Sequence, residues 1–197
     1  MILPLTADIR YLHQLAWRPA QFAHPLWLAA AGMNTARYHY GRSLMVDRAL
    51  NARLNHLRRF PQQPLPGVLS QQQQYQIVEP ERLSARCLAL GLVYLQCDDY
   101  LRLRSYRQQL SSLLSESDIS QLIGMGYRGH LPARLSPAQL LTTALRLGQS
   151  LAHHVRYDCV VWRAMSISLP PVPRSLSLSR ALSLSVDDWL TRLERLL

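Results

Sequence analysis

Apolar residues recur at helical rather than strand spacing along most of this chain. Over 43–59, Val46, Leu50, Leu54 and Leu57 fall on one face, with Asp47, Asn51, Asn55 and Arg58 as a polar stripe beside them. That period predicts a helix laid on a core and capped by Ser43. Pro80, flanked by Glu79 and Glu81, reads as a first helical residue with acids at the positive helix end. The stretch 83–96 is apolar nearly all round, which predicts a central buried helix, and Gly91 within it admits a close neighbour. Asp98 and Asp99 cap a following helix with Tyr100, Leu101, Leu103, Tyr106 and Leu110 inside and Arg102, Arg104 and Arg107 outside. Ser115 to Asp118 restarts a helix that ends near Met125. Ser136-Pro137 opens a long one reaching Met165, with Leu140, Ala144, Leu147, Leu151 and Val155 inward and Thr142, Arg146, Gln149, His153 and Arg156 on the wet face.

Proline and glycine divide these helices. Pro61, Pro64, Pro66 and Gly67 predict a surface loop over 60–79, whose glutamines 71–74 either extend the next helix or stay flexible. After Pro170, Pro171 and Pro173, serine and leucine alternate with period two over 175–179, as in a short strand or extended arm, while 182–184 suits either that arm or a helix. Ser185 caps an amphipathic helix over 185–197 that either docks on the core or receives a partner. The fold class is therefore all-α: a single compact multi-helix domain over 1–197 with a Pro-rich surface loop and room for one short strand pair.

The N-terminal segment 17–28 differs from the rest. Pro19 suits the start of a helix, and Pro25 is expected to break or kink it about one turn later. Trp17, Phe22, Trp27 and Leu28 remain as large apolar anchors, and 29–32 ends a short helix at Gly32. The segment reads as a packed elbow, with His24 holding it through a hydrogen bond.

Composition narrows the function classes. Of 197 residues 48% are hydrophobic, only two are Phe, and Leu recurs throughout, which favours a helical globular chain. The net charge of +10 comes from 22 basic residues that are all Arg. They are spread along the chain, densest at Arg53, Arg58 and Arg59 and at Arg102, Arg104 and Arg107, with no run of five like charges. A tail-like nucleic-acid arm is not indicated. Cys87, Cys97 and Cys159 lack metal or redox spacing and read as reduced thiols of a reducing compartment. The first five residues do not resemble a signal peptide, and the longest apolar run, 87–95, is too short to span a bilayer.

Catalytic chemistry finds no foothold. His153 and His154 are adjacent on a helix, so they point about 100° apart and cannot face one ion. Asp98 and Asp99 are better explained as a helix cap than as an acid–base or metal pair. Gly124, Gly126 and Gly129 match GxGxxG literally but follow a helix, not a strand. No catalytic, cofactor-binding or metal residue is assigned.

The pattern formed by Trp17, Pro19, Phe22, His24, Pro25 and Leu28 resembles the N-terminal motif of the SctK family (YscK, PscK, OrgA, MxiK), with Phe22 where Tyr is common and Trp17 where Phe is. The run 87–95 is similar to the family's apolar Leu-Gly-Leu helix, and 98–107, 119–123 and 162–170 follow in the family's order. The resemblance implies a non-enzymatic cytoplasmic adaptor of a type III secretion sorting platform. Such adaptors join the cytoplasmic domain of the inner-membrane ring protein SctD to the pod protein SctQ, which bears SctL and the ATPase SctN. It implies no cofactor, no small-molecule substrate and no nucleic acid, and contact with the membrane through proteins only. Positions that are acidic or polar in the family's centre are more basic here. Arg102, Arg104, Arg107, Arg146 and Arg156 are the candidate partner-facing residues, suited to pairing with acidic groups across an interface. The alternative is an Arg-rich helical nucleic-acid-binding protein, which the dispersed arginines and the lack of interleaved aromatics disfavour.

Overall fold

Helix starts are written by capping side chains. The computed structural model describes residues 6–61, 64–127, 129–172 and 178–197. Among them the chain is all-α, with no strand. In order the helices are α1 (Ala7–Trp17), α2 (Pro25–Ala30), α3 (Leu44–Leu57), α4 (Gln71–Gln76), α5 (Pro80–Leu95), α6 (Asp99–Arg102), α7 (Arg104–Leu110), α8 (Glu116–Gly124), α9 (Pro137–Val155), α10 (Val160–Met165) and α11 (Arg180–Leu196), with 3-10 turns at Pro19–Gln21 and Ser166–Ser168. Ser70–Gln73, Ser115–Asp118 and Ser136–Gln139 form capping boxes at α4, α8 and α9.

Several boundaries depart from the periodicity. Pro19 opens only a 3-10 turn, and Pro25 starts α2 rather than breaking a helix, because its missing N–H falls where none is needed. The glutamines form their own short helix, α4, held by the Ser70 cap. The helix expected over 98–110 is two helices, interrupted at Leu103, whose backbone is extended (ψ 132°) and whose side chain is 48% exposed. Asp98 stands at the start of α6 without capping it: its carboxylate accepts from Gly129 N–H at 2.7 Å and pairs with Arg102. The long helix from Ser136 stops at Val155, where Arg156 leaves helical geometry, and α10 restarts at Val160. The last helix begins at Arg180 with Ser179 as its cap, ahead of the expected Ser185. Most of the strand or arm expected over 175–179 lies outside the described residues.

Packing divides the chain into two units, each built from two stretches: 1–77 with 157–171, and 78–156 with 172–197. In the first unit α1 buries Ile9, Leu12, Leu15 and Ala16, α10 buries Val161, Trp162, Ala164 and Met165, and Ala20, Ala31, Leu50 and Leu54 form a cluster under Trp27, Leu28 and Met33. Helix α3 turns a face inward that the pattern misassigned. Leu50 and Leu54 are buried as expected, but Val46 and Leu57 are exposed while Asp47 and Arg58 are buried. Each of those two polar groups is satisfied. Both carboxylate oxygens of Asp47 are bonded, Oδ1 by the Tyr38 hydroxyl at 2.8 Å and Oδ2 by Gly41 N–H at 2.9 Å.

Arg58 donates from Nη2 to the carbonyls of Leu15 and Ala16 at 3.1 and 3.0 Å and from Nη1 to that of Arg163 at 3.2 Å. It also bonds Asn55 Oδ1 and stacks 4.2 Å above the Phe60 ring centroid. Burial, then the nearby Arg163 charge, pull its pKa down to about 9, which leaves it a cation at neutral pH. Its carbonyl partners are the C-terminal ends of α1 and α10, where the helix dipole favours positive charge.

In the second unit α5 and α9 pack face to face, and α11 packs against both. Two glycines allow the close approach. A Cβ at Gly91 would lie 1.9 Å from the Ala144 carbonyl oxygen, and one at Gly148 1.7 Å from that of Cys87. The Cys87 thiol beneath is fully buried, and its pKa is pushed up to about 12 by that burial. Gln149, expected on the wet face of α9, is 2% exposed; it lies next to Gly148, where α9 meets α5.

Two outcomes follow for stability, both read by urea unfolding. Gly91→Ala or Gly148→Ala should destabilise by about 3 kcal/mol or more, reversing the usual gain from Gly→Ala in a helix, because backbone cannot yield to the added carbon. Gly67→Ala, which meets open space, should be neutral. Arg58→Leu should cost about 3–5 kcal/mol by stranding the carbonyls of two helix ends. Arg58→Lys should recover only part of this, since an ammonium cannot fork across both ends.

Candidate functional site

The elbow residues are held by local chemistry. Pro19 and Ala20 are buried, and Ala20 N–H donates to Asn51 Oδ1 at 2.9 Å, so the 3-10 turn is pinned to α3. Asn55, one turn on, donates to the Ala16 carbonyl at 3.1 Å. Phe22 meets Tyr11 edge to face, with ring centroids 5.6 Å apart. Trp17 is 47% exposed and touches Phe60 by its edge. His24 caps α2: its Nδ1 accepts from Leu26 N–H at 3.2 Å, while its backbone N–H donates to the Ile167 carbonyl at 2.9 Å. Trp27 Nε1–H reaches the Leu169 carbonyl at 3.0 Å, and Leu28 packs beside it on the Leu50–Leu54 cluster. The motif residues thus build one corner of the first unit and present no reactive group.

The candidate arginines lie in the second unit and do not form one patch of equals. Arg102 is exposed and pairs with Asp98 at 3.2 Å. Arg104 and Arg146 are exposed, and no carboxylate among the described residues pairs with either. Arg107 is half-buried and bonded to Glu116. Arg156 is the correction. Expected on the wet face, it is 8% exposed and bonded to Asp187, to Thr191 Oγ1 at 2.8 Å and to Glu194 at 3.5 Å. Glu194, 3% exposed, also lies in the field of Arg86, which donates to the Glu194 carbonyl at 2.8 Å. Arg156 and Arg86 are therefore the polar fastening of α11, not a surface for a partner.

The groups considered for catalysis are dispersed. Asp98 is engaged as described above, His154 Nε2 sits 3.4 Å from Ser183 Oγ, and Gly126 (φ 82°) simply closes the turn after α8. No cluster of three His, Cys, Asp or Glu able to hold a metal occurs among the described residues. None of their helices is long and apolar enough to cross a membrane. Sequence reasoning missed the inward role of Asp47, Arg58, Asn55 and Glu194. Asn55 beside Arg58, three residues apart, was the available signal, since an amide oxygen is a natural partner for a buried guanidinium.

One comparison with known proteins is informative. A family model, T3SS_LEE_assoc, described as a type III secretion system subunit, matches residues 10–171, most of the chain. No curated protein and no solved structure matches significantly.

The His24 cap carries a pH dependence. Partial burial holds the imidazole pKa below its usual 6.5. The unfolded chain therefore takes up the proton first, and stability should fall as pH drops through about 6.5 toward the folded value. Thermal unfolding of His24→Asn, which keeps a capping acceptor that does not titrate, should lose that part of the slope. His24→Ala should cost about 1 kcal/mol at pH 7.5.

Proposed function

The chain belongs to the type III secretion system subunit family, and from that premise we propose that it is a non-enzymatic cytoplasmic adaptor of the SctK kind. In this reading it links the cytoplasmic domain of the ring protein SctD to the pod protein SctQ, and through SctQ to SctL and the ATPase. The observation that carries the reading is the family match over 10–171, joined to the SctK-like motif at 17–28 within it. The helical units support it. Buried Asp47, Arg58, Arg156 and Glu194 fasten helices, while Arg102, Arg104 and Arg146 are exposed. Exposed guanidinium forks are suited to carboxylates on a protein partner. Arg102, Arg104 and Arg146 are the residues for that task, with Arg107 in support.

Capture of SctD cytoplasmic domain and of SctQ by the purified full-length chain tests this directly. Retention of at least one partner, weakened about tenfold in an Arg102→Glu, Arg104→Glu, Arg146→Glu variant, is the expected result. Failure to retain either protein, together with normal pod assembly in a secreting strain that lacks this gene, overturns it.

A further inference from the structure

The first unit carries a candidate surface of its own. Between residues 9 and 78 the sequence has one carboxylate, Asp47, against eight arginines. That carboxylate is buried, with both oxygens occupied by Tyr38 and Gly41. The imbalance is thus felt outside, where no acidic side chain among the described residues pairs with Arg37 or Arg42. These two arginines edge a pocket of about 340 Å³ whose apolar lining comes from Met33, Tyr38 and Val46, with Asp47 also in its wall. Beside it the first turn of α3 projects Leu44, 65% exposed, and Met45, 82% exposed.

The pocket is built rather than accidental. Gly32 (φ 78°) and Gly41 (φ 89°) provide left-handed turns at either end of the 32–43 connection. Asn34 closes a turn on Ala36 N–H at 3.0 Å, and Asp47 ties the Tyr38 hydroxyl and Gly41 N–H to α3. A preformed wall costs a ligand little ordering. Exposed aliphatics grouped beside a pocket mark a surface made to be covered.

We propose that this pocket docks an acidic amphipathic segment of a protein partner, with one large apolar side chain seated against Met33, Tyr38 and Val46 and flanking carboxylates forked by Arg37 and Arg42. Three considerations select this occupant. A phosphate backbone satisfies the arginines but gains nothing from Leu44, Met45 and Val46. A second copy of this chain meeting this face with the same face brings more arginines to a surface that already lacks acid. An uncharged apolar ligand leaves Arg37 and Arg42 without a counter-charge at the pocket edge. For its setting the proposal rests on the adaptor reading; its chemistry rests on the pocket alone.

The test is fluorescence anisotropy with the purified full-length chain and a labelled helical peptide of Glu, Ala and a central Leu. Expected is saturable binding that weakens as salt rises and falls about tenfold when the central Leu becomes Ser or when the protein carries Arg37→Glu and Arg42→Glu. Met45→Ser should weaken it too, and Arg102→Glu with Arg104→Glu should not. Circular dichroism melting confirms that each variant is folded. The proposal is overturned by binding that ignores the central Leu, by a single-stranded DNA oligomer of equal charge that binds more tightly and displaces the peptide, or by concentration-dependent self-association that Met45→Ser abolishes. Partner capture by the α6–α9 arginines is measured separately, so a negative titration here leaves the adaptor reading intact, and failed capture there leaves this pocket untouched.

Discussion

A single buried guanidinium organises the first unit. No carboxylate among the described residues pairs with Arg58; its counter-charge is the carbonyl ends of α1 and α10. Helix ends need donors for their last carbonyls, and a buried end without them is costly. One planar fork supplies donors to two ends at once, and Asn55 and the Phe60 ring hold the fork in place. The chain leaves this unit after residue 77 and returns at 157, so the short α10 has little local stability of its own. Its position follows from the cation it meets. The reciprocal bonds from Arg163 to the carbonyls of Arg58 and Arg59 close the arrangement from the other side. The elbow is secured by the same returning stretch, through His24 to Ile167 and Trp27 to Leu169.

The second unit solves a different problem by different means. Its central pair, α5 and α9, needs no polar fastening because Gly91 and Gly148 bring backbone against backbone, and dispersion over that contact does the holding. Helix α11, by contrast, has serine-rich sequence in its first half and cannot rely on apolar area alone. Arg156 bonded to Asp187, Thr191 and Glu194 fixes its register along α9. Burying the Arg156–Glu194 pair is costly in desolvation, so it contributes orientation more than stability. The family match ends at residue 171, before this helix begins.

Most of the fold was legible because helix starts are local. Ser115 and Ser136, and the prolines at 80 and 137, announce themselves within three or four residues, whereas Ser70 and Pro25 start helices where the pattern gave a loop and a kink. The all-apolar run of α5 and the close approach at Gly91 were equally readable. What periodicity could not assign was the burial of polar groups. Asp47, Arg58, Gln149 and Arg156 all sit at positions that local pattern marks as wet. Arg58 is buried because of carbonyls 42 to 105 residues away, and Arg156 because of acids 31 to 38 residues away. Such partners are set by topology, not by spacing. In the candidate site the elbow was legible as a bent, anchored segment, whereas the choice among the five arginines was not. The scarcity of acid between residues 9 and 78 stands in the sequence too, but it acquires meaning only once Asp47 is seen to be consumed inside.

The all-arginine composition ties these observations together. A lysine at 58 or 156 presents a compact, strongly hydrated charge with three donors on a flexible stem, poorly suited to bridging several fixed oxygens. Arginine is less tightly hydrated and shaped for that geometry, so part of the chain's formal charge is absorbed as internal fastening. What remains outside is scattered. At physiological salt, exposed charges more than about 8 Å apart are largely screened from one another. A polyanion following a continuous track gains little from such a surface, because each cluster acts alone. A folded protein partner gains more, since it can place a carboxylate and an apolar side chain opposite each local pair of guanidinium and aliphatic groups. The arginine content is therefore a property of the fold's interior first, and in the proposed adaptor reading it supplies short-range, protein-directed contacts second.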